Sequence, residues 1–162
     1  MNWKILSILL ALFLTGCIID DHEEPASSDE SSLVGVGDRL PVFSVEVTDG
    51  EKTWRFSSSS LTGTTVIVFF NTTCRDCQRE LPELNAYYLA HRSEAGFQMV
   101  AISREEGAES VAAYWAANGL LIPYSAQTDR RIYSLFATSV IPRIYFCGAD
   151  GIVTRVYIEK FF

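Results

Sequence analysis

Residues 64–80, "TTVIVFFNTTCRDCQRE", join an apolar run to two cysteines that stand three positions apart. The run Thr64–Phe70 is continuously apolar and rich in β-branched residues, which is typical of a strand buried on both faces of a sheet. From Cys74 to His91 the apolar residues recur at three- and four-residue spacings, which predicts a helix. The stretch therefore predicts a strand–turn–helix unit in which Cys74 stands at the start of the helix.

The predicted position of Cys74 favours its thiolate. The first N–H groups of a helix have no partner within the helix, and the helix dipole places positive charge at this end. Such surroundings lower the pKa of a cysteine from about 8.5 to between about 3.5 and 7.5. Cys77 follows one helical turn later, so one thiol can attack a disulfide while the other resolves the mixed disulfide. Arg75 and Asp76 act on the thiolate in opposite directions, which leaves the direction of electron flow open.

The spacing of the two cysteines alone is compatible with a zinc site, a structural disulfide or a redox-active dithiol. A zinc site needs about four ligands, usually with a second pair of cysteines or histidines. The only histidines of the chain are His22 and His91, and the one further cysteine of the domain is Cys147. We therefore predict no metal site, and we expect Cys147 to be a buried core thiol.

The rest of the chain predicts an α/β domain with a mixed sheet. Strands are expected at 42–47, 52–56, 64–70, 97–103, 142–147 and 152–158, and helices at 74–91, 108–119 and 129–137. Asp49-Gly50 predicts a hairpin turn between the first two strands. Ser103 and Glu106 form a capping-box pattern before the second helix, and Asp129 is expected to cap the third. Helices between apolar strands imply parallel neighbours, whereas the last two strands form an antiparallel hairpin.

The beginning of the chain differs in composition from the rest. Residues 1–16 follow the pattern of a secretory signal, with a basic residue near the start and an apolar stretch too short to span a membrane. The ending "LTGC" resembles the lipobox of bacterial lipoproteins, which implies cleavage before Cys17 and a lipid on that residue. Residues 17–32 are acidic and rich in serine, and they predict a flexible tether. Residues 33–162 are long enough for one domain with its own core.

The charge and the signal pattern restrict the partners and the compartment. The formal net charge is −7 at pH 7 and no basic patch is visible, which argues against nucleic acid as a partner. A lipid on Cys17 predicts a domain anchored to a bacterial envelope membrane and facing the periplasm, where disulfides persist. The acidic cluster of the tether is most simply a solvated spacer, and its similarity to export signals of surface lipoproteins leaves exposure on the cell surface as the alternative. No cofactor is predicted.

Three stretches together resemble the thioredoxin superfamily, and in detail its TlpA-like membrane-anchored thiol-disulfide oxidoreductases. They are "SSLTGTTVIVFFNTTCRDCQRELPEL" (59–84), "VAISRE" (100–105) and "SLFATSVIPRIYFCGADGIV" (134–153). The resemblance implies a thioredoxin-like fold with a central mixed sheet, an N-terminal hairpin and helices on both faces. It also implies that Pro142 is cis and faces the dithiol, and that Ile141 offers its backbone to a substrate strand.

The resemblance implies roles for further residues. Cys74 and Cys77 would be the catalytic pair and form the redox-active disulfide, and Glu80 would assist proton transfer. Thr73 stands where the family usually has tryptophan, beside the substrate. The implied partners are disulfide-containing or dithiol client proteins of the envelope, and family analogy favours a reductant supplied by a membrane electron donor. The chain ends soon after the last strand, so the C-terminal helix of the family is expected to be short or missing. The sheet face is then expected to be bare, covered by residues 161–162, or used in a contact with a partner.

Three other functions are known for proteins with a similar arrangement of cysteines. A thiol peroxidase of this superfamily has proline and threonine before its reactive cysteine, where this chain has Ile67 and Asn71. Copper delivery by a thioredoxin fold needs a histidine downstream of the cysteines, and none follows His91. A redox-inactive lipoprotein that binds a partner is the third, and it predicts a Cys74–Cys77 bond that resists reduction.

Overall fold

A computed structural model describes residues 30–161 as one seven-stranded mixed sheet with two α-helices. The strands are β1 Ser44–Thr48, β2 Thr53–Ser57, β3 Thr65–Phe70, β4 Gln98–Ser103, β5 Tyr124–Ser125, β6 Arg143–Cys147 and β7 Val153–Ile158. The helices are α1 Arg75–His91 and α2 Ala108–Asn118. None of the helices within residues 30–161 is long and apolar enough to cross a membrane. The predicted signal peptide, Cys17 and the first part of the tether lie outside the described residues.

The sheet has the strand order β2-β1-β5-β4-β3-β6-β7, which places the apolar strand of the opening stretch near its centre. All six residues of β3 are buried, and β3 pairs parallel with β4 and antiparallel with β6. The predicted N-terminal hairpin is confirmed, because β1 and β2 pair antiparallel on either side of Asp49-Gly50. The end of β3 thus leads directly from the core into the two cysteines.

Both α-helices pack on one face of the sheet. Val66 and Phe70 of β3 point to this face, because side chains of a strand alternate between its two sides. Phe70 contacts Trp115 of α2 with ring centroids 4.8 Å apart. Phe146, the cross-strand partner of Val66, contacts Tyr87 of α1 at 5.6 Å. The two α-helices therefore bury the same apolar surface.

Within residues 30–161, the opposite face carries a 3-10 turn, Tyr133–Leu135, in place of the α-helix predicted at 129–137. Phe69 packs against Tyr133 at 5.4 Å and against Phe136 at 4.8 Å. A 3-10 turn aligns residues three apart, so it brings both rings onto Phe69. The Asp129 carboxylate does not cap a helix and instead accepts hydrogen bonds from the backbone and guanidinium of Arg131. The predictions of an α-helix here and of an Asp129 cap were wrong.

The capping box predicted from Ser103 and Glu106 was also wrong. Helix α2 begins at Ala108, and its N-cap, Gly107, makes no side-chain hydrogen bond. Ser103 is the last residue of β4, and its hydroxyl donates to the carbonyl of Glu106 at 2.7 Å. The Glu106 side chain points away from α2, because it binds the loop that precedes the cysteines.

The segment after β7 covers the sheet where the family resemblance places a C-terminal helix. Phe161 is fully buried, and its ring lies 5.5 Å from that of Tyr87 and 5.4 Å from that of Tyr157. It also stacks on Phe146 with ring centroids 6.0 Å apart. The backbone N–H of Phe161 donates to the carboxylate of Glu80 at 2.9 Å. One aromatic residue thus closes the core beside α1, as one of the sequence-based expectations proposed.

Candidate active site

Cys74 is the N-cap of helix α1, and its sulfur takes the place of the usual capping oxygen. Its backbone is extended, with φ −74° and ψ 119°, and its Sγ accepts a hydrogen bond from the N–H of Cys77 at 3.3 Å. The N–H of Cys74 donates to the carbonyl of Asn71 at 3.1 Å, which closes the turn between β3 and α1. The Cys74 sulfur is partly exposed and lies at the positive end of the helix dipole.

Cys77 lies one turn into α1 and is fully buried. Burial raises the pKa of the Cys77 thiol well above its usual range, and the hydrogen bond with the Cys74 side chain acts in the same direction. Cys74 is partly exposed, whereas Cys77 is buried. The arrangement separates an accessible sulfur that can attack from a shielded sulfur that can resolve.

The loop before β6 faces Cys74. The Ile141–Pro142 peptide bond is cis, as predicted. The carbonyl oxygen of Ile141 lies 3.5 Å from the Sγ of Cys74. The hydroxyl of Tyr133 donates to the carbonyl of Val140 at 2.8 Å and so fixes the start of this loop. Residues 67 positions apart in the chain are therefore in direct contact at the dithiol, while substrate binding by Ile141 and Pro142 stays a prediction.

Thr73, predicted to line the substrate site, is exposed immediately before Cys74. Its N–H and its hydroxyl both donate to the side-chain oxygen of Asn71, at 2.8 and 2.6 Å. The amide group of Asn71 in turn donates to the carbonyl of Arg104 at 3.0 Å. Thr73 is thus held in a compact turn, and its contact with a client stays a prediction.

Glu80 is buried, and its carboxylate makes two charge-assisted contacts. One oxygen accepts from the Nε of Arg79 at 2.7 Å, and the other accepts from the N–H of Phe161. Arg79 also pairs with Asp76 at 2.8 Å and donates to the carbonyl of Glu159 at 3.1 Å. Glu80 therefore connects helix α1 to the C-terminal segment, in addition to lying one turn from Cys77.

A family model described as AhpC/TSA family matches residues 36–156. The chain belongs to the AhpC/TSA family. Among its relatives, thiol-disulfide oxidoreductase ResA of Bacillus subtilis is 27% identical over 124 residues, covering 76% of this chain and 67% of the relative. The ResA of Bacillus thuringiensis is 23% identical over 160 residues, covering 98% of this chain and 90% of the relative.

Solved structures agree with this assignment at the level of the fold. A putative protein disulfide isomerase from Bacteroides thetaiotaomicron has a TM-score of 0.73 at 23% identity and covers 80% of this chain and 82% of its own. A thiol:disulfide interchange protein of the thioredoxin family from Chlorobium tepidum has a TM-score of 0.61 at 26% identity, covering 75% and 85%. The predicted thioredoxin-like fold is confirmed by these likenesses and by the sheet topology.

Glu106 holds the loop before Cys74 in place, and this role was not predicted from the sequence. The buried carboxylate of Glu106 accepts from the N–H of Thr72 at 2.7 Å and also from the Thr72 hydroxyl. The carbonyl of Thr72 accepts from the side chain of Gln78 at 2.7 Å, so the loop is tied to α1 as well. The sequence pattern was interpreted as a capping box instead. The position of Glu106, an acidic residue three positions after the end of β4, was the feature that could have indicated its contact with the loop.

We expect Glu106→Gln to lower the free energy of unfolding by about 1–3 kcal/mol. The variant keeps one acceptor oxygen but turns an amide N–H₂ toward a donor of Thr72, which leaves a buried donor unpaired. Urea unfolding followed by far-UV circular dichroism measures the change. Glu105→Gln is the matched control, because Glu105 is exposed and its ion pair with Arg130 is long, at 4.0 Å. Equal losses in both variants would contradict the role of the Thr72 contact.

The third cysteine of the described domain lies outside the site. Cys147 is buried in β6, where its Sγ is 3.5 Å from the carbonyl of Thr65. Burial raises its pKa to about 12, as expected for a core thiol. Residues 30–161 contain no group of three histidine, cysteine or acidic side chains that could hold a metal ion.

Proposed function

We propose that this member of the AhpC/TSA family is a thiol-disulfide oxidoreductase that exchanges disulfides with client proteins through Cys74 and Cys77. The observation that carries the proposal is the contact of an accessible N-cap sulfur with the carbonyl of Ile141, one helical turn from a buried second thiol. The relatives named ResA are thiol-disulfide oxidoreductases, which supports the same activity.

The reaction follows from the different surroundings of the two sulfurs. The Cys74 thiolate attacks one sulfur of a client disulfide, and the other client sulfur leaves as a thiolate that takes up a proton. Cys77 then loses its proton and attacks the Cys74 sulfur of the mixed disulfide. The Cys74–Cys77 disulfide forms and the second client thiolate is released, so that two electrons have passed from the enzyme to the client. The reverse sequence oxidises a dithiol client.

The substrate strand is proposed to lie along the loop at Ile141 and Pro142, with Thr73 on its other side. Backbone groups of an extended peptide then pair with the loop, as in β-strand addition. The Ile141 carbonyl is already directed toward Cys74, so a paired client would have its disulfide beside the attacking sulfur. Thr73 is smaller than the tryptophan usual in the resembled group, which leaves more room for a client side chain.

The setting we propose is the bacterial envelope, with the domain anchored through a lipid on Cys17 and facing the periplasm. Residues 17–32 then act as a tether, and its acidic cluster is similar to surface export signals. A reductant role requires a dithiol donor to restore the thiols, for which a membrane electron donor is proposed. Metabolic labelling with a tagged fatty acid, compared between the full chain and a Cys17→Ser variant, tests the anchor.

Insulin reduction tests the activity. The reduced full-length chain is expected to accelerate the reduction of insulin disulfides by dithiothreitol. If the chain is added in its oxidised form, dithiothreitol is expected to reduce the Cys74–Cys77 disulfide before insulin reduction accelerates. A parallel assay with hydrogen peroxide addresses the thiol peroxidase alternative. Rapid peroxide consumption together with no insulin reduction would replace the proposal with a peroxidase. A Cys74–Cys77 bond that dithiothreitol does not reduce would instead favour a redox-inactive binding protein.

Glu80 is proposed as the acceptor of the Cys77 proton. The two residues lie three apart on the same buried side of α1, so the carboxylate is one turn from the thiol. General acid–base groups contribute about 10²–10⁴-fold, and we expect Glu80→Gln to slow insulin reduction by about a hundredfold. Phe161→Leu is the control for packing of the C-terminal segment, because it replaces the buried ring beside α1 but keeps the Glu80 carboxylate and the backbone N–H that binds it. Wild-type rates in Glu80→Gln would restrict Glu80 to anchoring the C-terminal segment.

A further inference from the structure

Arg143 is a fully buried arginine beside the candidate active site, and no role for it was predicted from the sequence. It is the first residue of β6 and follows directly after Pro142. A guanidinium keeps its charge inside a protein, and burying a charge is costly unless acceptors surround it. The groups that accept hydrogen bonds from Arg143 therefore indicate what this side chain holds together.

The guanidinium of Arg143 joins two segments that are distant in the sequence. Its Nε donates to the carbonyls of Ser139 and Val140, at 3.1 and 3.2 Å. Its terminal nitrogens donate to the hydroxyl of Ser32 at 2.6 Å and to the hydroxyl of Ser31. The planar fork of an arginine presents donors in several directions, so one side chain binds both segments at once.

The N-terminal segment, residues 31–33, also contacts this part of the chain through its backbone. The N–H of Thr138 donates to the carbonyl of Ser31 at 2.8 Å. The N–H of Leu33 donates to the carbonyl of Phe136 at 2.9 Å. The end of the predicted tether therefore lies against the loop that faces the dithiol, and Arg143 connects the two.

Val140 has a backbone conformation that neighbouring groups have to maintain. Its φ of 69° lies in the left-handed region, which is uncommon for a β-branched residue and costs free energy. The carbonyl of Val140 accepts hydrogen bonds from the Nε of Arg143 and from the hydroxyl of Tyr133. The next carbonyl, that of Ile141, lies 3.5 Å from the Sγ of Cys74. The groups that hold Val140 thus also fix the part of the loop that faces the attacking sulfur.

We propose that Arg143 is a positioning residue of the client site, and that it acts with the hydroxyls of Ser31 and Ser32 as a clamp on the loop 138–141. The inference rests on the proposed thiol-disulfide exchange, in which an extended client strand pairs with this loop. Without the clamp, Val140 can leave the left-handed region, and a client has to order the loop before it binds. This cost is the same before and during the reaction, so it raises KM and leaves kcat unchanged.

The double variant Ser31→Ala/Ser32→Ala removes two acceptors of the clamp and keeps Arg143. We expect it to raise the KM for insulin about fivefold, as for the net loss of one hydrogen bond, with kcat within about twofold. Steady-state reduction of insulin at saturating dithiothreitol measures both constants. Ser31→Thr/Ser32→Thr retains the hydroxyls, so its KM is expected near that of the parent chain. A fall in kcat at unchanged KM in the alanine variant would overturn the proposal.

Two further measurements on the full-length chain need no client. Hydrogen–deuterium exchange of residues 138–141 is expected to be about fivefold faster in the alanine variant, and unchanged exchange would overturn the clamp. Alkylation of Cys74 by iodoacetamide, in which the sulfur attacks the methylene carbon and iodide leaves, is expected within about twofold of the parent rate. Alkylation slowed as much as insulin reduction would overturn the proposal, because the change would then lie at the sulfur.

These measurements also separate this inference from the proposed function. A parent chain that reduces no insulin would end the proposed function, whereas hydrogen exchange of the loop still decides whether the clamp exists. Arg143→Lys retains the test if the alanine variant does not fold. Its single side-chain nitrogen cannot bind both the loop carbonyls and the two serine hydroxyls, so the same rise in KM is expected.

Ser59→Ala/Ser60→Ala is the matched control for the alanine variant. Both serines are exposed and adjacent, and within residues 30–161 their hydroxyls make no hydrogen bond. We expect parent values of KM and of hydrogen exchange in this control. A rise in KM equal to that of the alanine variant would overturn the proposal. The parent KM in both the alanine variant and Arg143→Lys would overturn it as well.

Discussion

Cys74→Ser is expected to reduce insulin reduction to the uncatalysed background, whereas Cys77→Ser accumulates a mixed disulfide between Cys74 and the client. The partly exposed Cys74 sulfur is the one that reaches a client, since Cys77 is fully buried. Without Cys77 the first exchange still proceeds, but nothing inside the protein releases the product. Non-reducing electrophoresis and mass spectrometry of the trapped species measure the result.

Cys147→Ser serves as the control for both variants. Its thiol is buried in β6, and this burial raises its pKa to about 12, so at pH 8 the thiol is protonated and unreactive. We expect this variant to reduce insulin at the parent rate and to form no adduct. Trapping through Cys77 in a Cys74→Ser chain, or through Cys147 in any variant, would show that the assignment of the attacking sulfur is incorrect.

Patterns that depend on neighbours in sequence predicted the central part of the fold. The apolar run at Thr64–Phe70 is β3, and the change to helical spacing after Cys74 is α1, with the sulfur as N-cap. The hairpin at Asp49-Gly50 also follows from local turn chemistry. In each case the burial pattern and the local backbone preference favour the same secondary structure, so tertiary contacts do not change it.

Two features that depend on distant contacts were not predicted correctly from the sequence. The segment 129–137 has helical spacing, but packing of Tyr133 and Phe136 on Phe69 selects a 3-10 turn. Glu106 matches a helix cap by spacing, yet the buried donors of Thr72, 34 residues earlier, bind its carboxylate instead.

Phe161→Ala is expected to lower the free energy of unfolding by about 3–5 kcal/mol, the usual loss for a buried phenylalanine. The ring is fully buried among Tyr87, Phe146 and Tyr157, and alanine leaves a cavity there. Domains of this size are stable by about 5–15 kcal/mol in total, so one residue near the end of the chain contributes a large share. Urea unfolding of the full chain measures the difference.

The same variant separates the ring of Phe161 from its backbone contact. The hydrogen bond to Glu80 comes from the N–H of residue 161, which alanine retains, so the loss measures the aromatic contacts. Lys160→Ala is the matched control, because Lys160 is exposed and its removal should change stability by less than about 0.5 kcal/mol. A loss below about 1 kcal/mol in Phe161→Ala would mean that this segment does not close the core in solution. A loss in the expected range would show that the buried Phe161 ring closes the core beside α1.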